Sequence, residues 1–115
     1  MNMEEFGPET AKYLDKNKNN PNFNLNANQL AAIGKVNSAI HSFFQSIKGQ
    51  TIVYLRRGIT EEQVQLLRRF TAVLYECDEE IRKAGLNTLW FQMFLRPLII
   101  RDAIKLYNIK EEFSA

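Results

Sequence analysis

Residues 86 to 109 read LNTLWFQMFLRPLIIRDAIKLYNI, and this stretch decides the fold. Apolar residues fall on every side of it: Leu89, Trp90, Phe91, Met93, Phe94, Leu95, Leu98, Ile99, Ile100, Ala103, Ile104, Leu106 and Tyr107. A helix that is hydrophobic all round is a buried one. Arg96, Pro97, Arg101, Asp102 and Lys105 interrupt it, so it lacks the run of about 18 apolar residues that a membrane span needs. It must be wrapped by other helices or shared with a partner. Pro97 deletes a backbone hydrogen bond and crowds the carbonyl four residues earlier, at a cost of about 3 kcal/mol in an unrelieved helix. A helix over 87–108, kinked at Pro97, is therefore expected.

Upstream of it, Thr60 followed three residues later by Gln63 has the spacing of a capping box, with Glu61 and Glu62 opposing the positive helix end. Val64, Leu67, Phe70, Val73 or Leu74, Cys77 and Ile81 then recur at helical spacing. A helix over 60–84 follows, closed by Gly85, with Asp78–Arg82 and Glu79–Lys83 as i,i+4 pairs. Its stripe residues Leu67, Phe70 and Leu74 are expected to face Ile40, Phe44 and Trp90. Leu30, Ile33, Val36 or Asn37, Ile40, Phe43, Phe44 and Ile47 mark an earlier helix capped by Asn26 or Asn28. Thr51 to Leu55 has strand propensity, but a lone strand has nothing to pair with. The first helix is therefore expected to run over 27–57, through or restarted after Gly49, with Gly58 beyond its end.

The N-terminal part is different. Residues 17 to 28 contain seven asparagines, which compete with helix by bonding their own backbone, and Pro21 also breaks helix. Gly7-Pro8-Glu9 can open a short helix to about Lys16. Residues 1–26 are read as a flexible arm or linker, on which Phe23 and Leu25 can still pack. Residues 27–115 are read as the domain, and residues 1–24 are expected to be dispensable for folding. The tail from Ile109 is expected to fray. The fold class is an all-α, compact antiparallel bundle of three main helices.

The 115 residues suit one domain, and 45% hydrophobic with 24% charged residues is ordinary for a folded chain. A net charge of +2 is too small to imply nucleic acid or acidic lipid by itself. The single cysteine, Cys77, excludes an internal disulfide and disfavours a thiolate zinc site. Residues 1–10 carry acids where a secretory leader needs bases, so an intracellular location, cytoplasm or nucleus, is expected.

Catalytic constellations are absent: one histidine, His41, and no assembled nucleophile–base set. No glycine-rich phosphate loop or His-Glu-x-x-His is present. The acidic run Glu76, Asp78, Glu79 and Glu80 reads as a solvated face, since nothing supplies a calcium-loop turn. No enzyme activity, metal, cofactor or small-molecule substrate is expected.

Residues 59–67, ITEEQVQLL, resemble the QLQ segment of chromatin-remodelling ATPases and plant growth regulators, which implies a protein-interaction element. The same residues resemble the opening helix of a homeodomain, with Gly85-Leu86-Asn87 and Trp90-Phe91-Gln92 similar to the start of its recognition helix. The intervening length is too short for that fold's second helix, and Met93 stands where an adenine-reading asparagine belongs. Leu89-Trp90 is similar to the LW helical domains of transcription elongation factors. These resemblances imply a nuclear, chromatin or transcription setting.

The expected function is a non-catalytic helical protein–protein interaction module or adaptor within a larger assembly. Trp90, Phe91, Phe94, Leu98, Ile99 and Tyr107 cannot all face two neighbouring helices, and surplus apolar surface marks an interface. The partner is another protein, as helix or extended peptide, or a second copy. The alternative is a nucleic-acid-binding helical domain, in which Arg56, Arg57, Arg68 and Arg69 cluster at one end of the bundle beside Tyr54.

Overall fold

The computed structural model describes residues 6–21, 23–54 and 57–113. The described residues are mostly helical, with one small two-stranded sheet among them. The order is α1 (Pro8–Asn17), α2 (Ala27–Ser46), β1 (Thr51–Tyr54), α3 (Glu61–Lys83), α4 (Thr88–Trp90), a π-helical turn (Phe91–Leu95), α5 (Arg96–Leu106) and β2 (Lys110–Phe113). Helix α2 packs against both α3 and α5, and α1 lies on α5.

Capping chemistry sets the helix starts. Asn26 accepts from the Gln29 amide while the Gln29 side chain accepts from the Asn26 amide, a complete capping box for α2. Thr60 accepts from the Gln63 amide at 3.2 Å, but the Gln63 side chain does not return to Thr60. It reaches β1 instead, donating to the Thr51 carbonyl at 3.0 Å and accepting from the Val53 amide at 3.2 Å. At the other end of α3, Gly85 takes φ +79°, and the Leu86 amide reaches back to the Ile81 carbonyl at 3.1 Å. That six-to-one bond needs a left-handed residue between, which glycine supplies without a Cβ clash.

The core forms along the predicted stripes. Ile33, Val36, Ile40, Phe43 and Phe44 of α2 and Ile47 just beyond it are buried, as are Phe70, Cys77 and Ile81 of α3. Leu66, outside the predicted stripe, is buried too, while Val64, Leu67, Val73 and Leu74 are only half-buried. The Phe70 ring stacks on Phe43 at 5.2 Å and meets Phe44 edge-on at 5.4 Å. Phe70→Ala is expected to cost about 3–5 kcal/mol in urea unfolding, and a loss below about 1 kcal/mol would remove Phe70 from the core.

Two expectations are corrected. Residues 51–54 are a strand, not the end of a 27–57 helix: α2 stops at Ser46, and Gly49, at φ +77°, turns the chain and donates to the Tyr107 carbonyl at 3.0 Å. The partner that a lone strand lacked is the C-terminal segment, expected to fray. Lys110–Phe113 pairs with it in parallel, Thr51 opposite Lys110 through Tyr54 opposite Phe113. Second, residues 6–17 do not form a loose arm: Phe6, Thr10 and Leu14 are buried. At Pro97 the expected interruption is present: a π turn ends at Leu95 and a new α-helix starts at Arg96, with the proline in its first turn. The Arg96 amide bonds the Phe91 carbonyl, five residues back, in the π turn, which widens the helix where the proline ring would meet the preceding turn.

Candidate functional site

The last helical segment carries the candidate interaction surface, and its side chains divide three ways. Phe91 and Ile99 are fully buried, at 0% exposure, beside Leu95 and Ala103. These two were expected to face a partner, and they are core residues instead. Trp90 and Tyr107 are half-buried, each spent on a contact within the chain. The Trp90 indole donates to the Tyr13 hydroxyl at 3.1 Å, and its ring meets Phe23 at 5.2 Å. Thus Trp90 packs against Tyr13 and Phe23 of the N-terminal segment. Tyr107 sits edge-on to His41 at 5.7 Å. Leu98 is half-buried. Of the six expected residues only Phe94 is mainly exposed, at 55%.

Two residues missing from that set join Phe94 outside: Leu89 at 62% and Met93 at 61%. The π turn explains the set. With more than four residues per turn, positions 93 and 94 both fall over position 89, so one face carries Leu89, Met93 and Phe94. Regular α spacing alone would not have separated Phe91 from Phe94 this way. Toward α5 the face continues through half-buried Pro97 and Leu98 to the exposed cations Arg101 and Lys105. The π turn is tied down from α3. Asp78 accepts from the Gln92 amide group at 2.8 Å and pairs with Arg96 at 3.3 Å. Asp78 is therefore not the i,i+4 partner of Arg82, which instead pairs with Glu79 at 2.7 Å.

Of the four arginines expected to cluster, three fall among the described residues. Arg56 lies outside the described residues. Arg69 is held over the Phe43 ring at 5.5 Å and donates to the Ser46 hydroxyl at 3.2 Å. It lines a cleft of about 390 Å³ that also holds Glu61 and Glu62, whose charges oppose its own. Arg57 and Arg68 are exposed on the turn and on α3. Tyr54 stacks on Phe113 at 5.1 Å.

Burial governs the chemistry of Cys77 and His41. Burial pushes the Cys77 thiol up to about 12, aided by the nearby Asp78 and Glu76 charges, so at neutral pH it is a thiol and a poor nucleophile. It lies at the floor of a groove of about 480 Å³ between α2 and α3, where Lys35 pairs with Glu80 at 3.3 Å. The acidic run is thus partly engaged in pairing rather than simply solvated. Burial lowers the His41 imidazole below its ordinary 6.5, against the opposing pull of Asp102. The folded state then takes up this proton less readily than the unfolded chain does. Stability from this group is whole above pH 6.5 and is lost as pH falls through the lowered folded value. The thermal midpoint is expected to drop between pH 7 and pH 5, and His41→Gln to flatten that drop. An unchanged slope would assign it to other groups.

Among the described residues no group of three His, Cys, Asp or Glu side chains could hold a metal ion, and no helix is long and apolar enough to cross a membrane. The arrangement leaves an apolar face of Leu89, Met93 and Phe94 exposed. Compared with protein-family models, curated proteins and solved structures, the chain finds no match in any of the three.

Proposed function

We propose that this protein is a non-catalytic interaction module that docks another protein on the face formed by Leu89, Met93 and Phe94. The observation that carries this reading is the exposure of all three, each above half, on one turn of a helix whose opposite side is fully buried. An antiparallel frame of α2, α3 and the 88–106 segment would hold that face rigid, which lowers the entropy lost on binding. The cations Arg101 and Lys105 at one end suit a partner helix with apolar residues and an acidic end. A role within a larger assembly, as an adaptor, belongs to the same reading.

Met93→Asp and Phe94→Asp are the test. Both side chains are mostly in water, so each change is expected to shift stability by no more than about 0.5 kcal/mol. A charge buried in an interface without a partner is strongly unfavourable, so each should abolish capture of a binding protein from the native source. Circular dichroism beside sedimentation and pull-down reads both effects. Capture unchanged by either substitution would refute this face as the docking site. Loss of binding to duplex DNA or RNA in Arg57→Ala or Arg68→Ala, with a steep salt dependence, would favour nucleic acid instead.

A further inference from the structure

We propose that the outer edge of β2 is a second docking site, which takes an extended segment of another protein with a basic residue two places from a large apolar one.

The backbone of β2 has a free side. The Lys110 amide donates to the Gln50 carbonyl at 3.1 Å, so Lys110 and, two residues on, Glu112 turn their main-chain groups toward β1. Strand geometry then turns those of Glu111 and Phe113 outward. The opposite edge of the sheet is closed, because the Gln63 side-chain amide bonds the Thr51 carbonyl and the Val53 amide as a further strand would. Among the described residues nothing does this for Glu111 and Phe113.

Such a sheet is physically incomplete. Parallel ladders are slightly weaker than antiparallel ones and are normally covered on both sides, and an isolated two-stranded pair is marginal. Here all four residues of β2 are exposed. A third strand would complete the sheet and satisfy the outward groups of Glu111 and Phe113.

The side chains select the occupant. Glu111 and Phe113 share one face: the Tyr54 hydroxyl donates to the Glu111 carboxylate, the Tyr54 ring stacks on Phe113, and Phe113 is 73% exposed. An added strand gains most from a lysine or arginine beside Glu111 and an apolar residue beside Phe113. A second copy is disfavoured. Pairing β2 antiparallel with itself over most of its four residues puts the twofold axis on Glu111 or Glu112, and so sets a glutamate directly against its own copy. Charges that keep edge strands from pairing with themselves also choose a partner of opposite sign. This site is separate from the helical face, and either can fail without the other.

The probe is a capped pentapeptide, valine-lysine-threonine-phenylalanine-threonine, titrated into the full chain labelled with nitrogen-15. The amides of Glu111 and Phe113 are expected to shift and their hydrogen exchange to slow. The analogue with glutamate for lysine should bind about fivefold to tenfold more weakly. Glu111→Lys keeps every backbone group and should reverse that preference. A peptide N-methylated along its bonding edge should not bind. Any of four results overturns the proposal: no saturable binding up to about 1 mM peptide, equal binding of the N-methylated peptide, shifts centred on Leu89 and Met93, or a concentration-dependent dimer that protects Glu111 and Phe113 without peptide.

Discussion

Phe91→Asp is expected to unfold the protein at 25 °C, whereas Met93→Asp, two residues along the same turn, leaves it folded. Phe91 is at 0% exposure and Met93 at 61%. Truncating a buried phenylalanine costs about 3–5 kcal/mol. Placing a carboxylate in the vacated apolar site adds several kcal/mol of desolvation that no partner offsets. The sum reaches the whole stability of a typical domain, about 5–15 kcal/mol. Ile99→Asp should behave like Phe91→Asp, since Ile99 is equally buried. Far-ultraviolet circular dichroism and a urea midpoint decide the matter. A folded Phe91→Asp with an unshifted midpoint would place Phe91 outside and reverse the assignment of core and docking face.

The second large effect is at Asp102→Ala, expected to cost about 3 kcal/mol or more because charged, buried hydrogen bonds are among the strongest. Helix α1 follows Gly7, which stands at the cap position and has no side chain to cap it. Asp102 of α5 supplies the missing acceptor from 92 residues away: its carboxylate accepts from the Thr10 amide at 2.9 Å and the Thr10 hydroxyl at 2.7 Å. Its other oxygen accepts from the Glu9 amide at 3.1 Å. The negative charge also sits at the positive end of α1. A Cβ on Gly7 would overlap the Asp102 side chain, so only glycine lets the carboxylate approach so closely. Truncation strands three donors in a buried site. Thr10→Val, which removes the hydroxyl alone, should cost about 1 kcal/mol, and the double mutant less than the sum of the two. Deleting residues 1–24 should lower the thermal midpoint for the same reason, contrary to the expectation from the asparagine-rich run. A midpoint unchanged by Asp102→Ala would show that α1 does not dock.

Local rules in the sequence determined the helices. Periodicity located the buried stripes of α2 and α3, because a 3.6-residue repeat is a property of the chain alone. Thr60, Asn26 and Gly85 marked helix ends through bonds that span only a few residues. The apolar excess of 86–109 was also legible, and with it the reading that this segment is central. Tertiary structure decided everything that depends on residues far apart in sequence. Thr51–Tyr54 became a strand because a segment more than 50 residues away pairs with it. Gln63 left its own helix cap to close that strand. Asp102 anchored an N-terminal helix whose own sequence offered few apolar contacts. Which residues of the last segment face outward was decided by the π turn, since it shifts the helical phase between Phe91 and Phe94. Residue spacing shows how many apolar side chains a helix carries; which of them are covered depends on the backbone path and on the neighbours it meets.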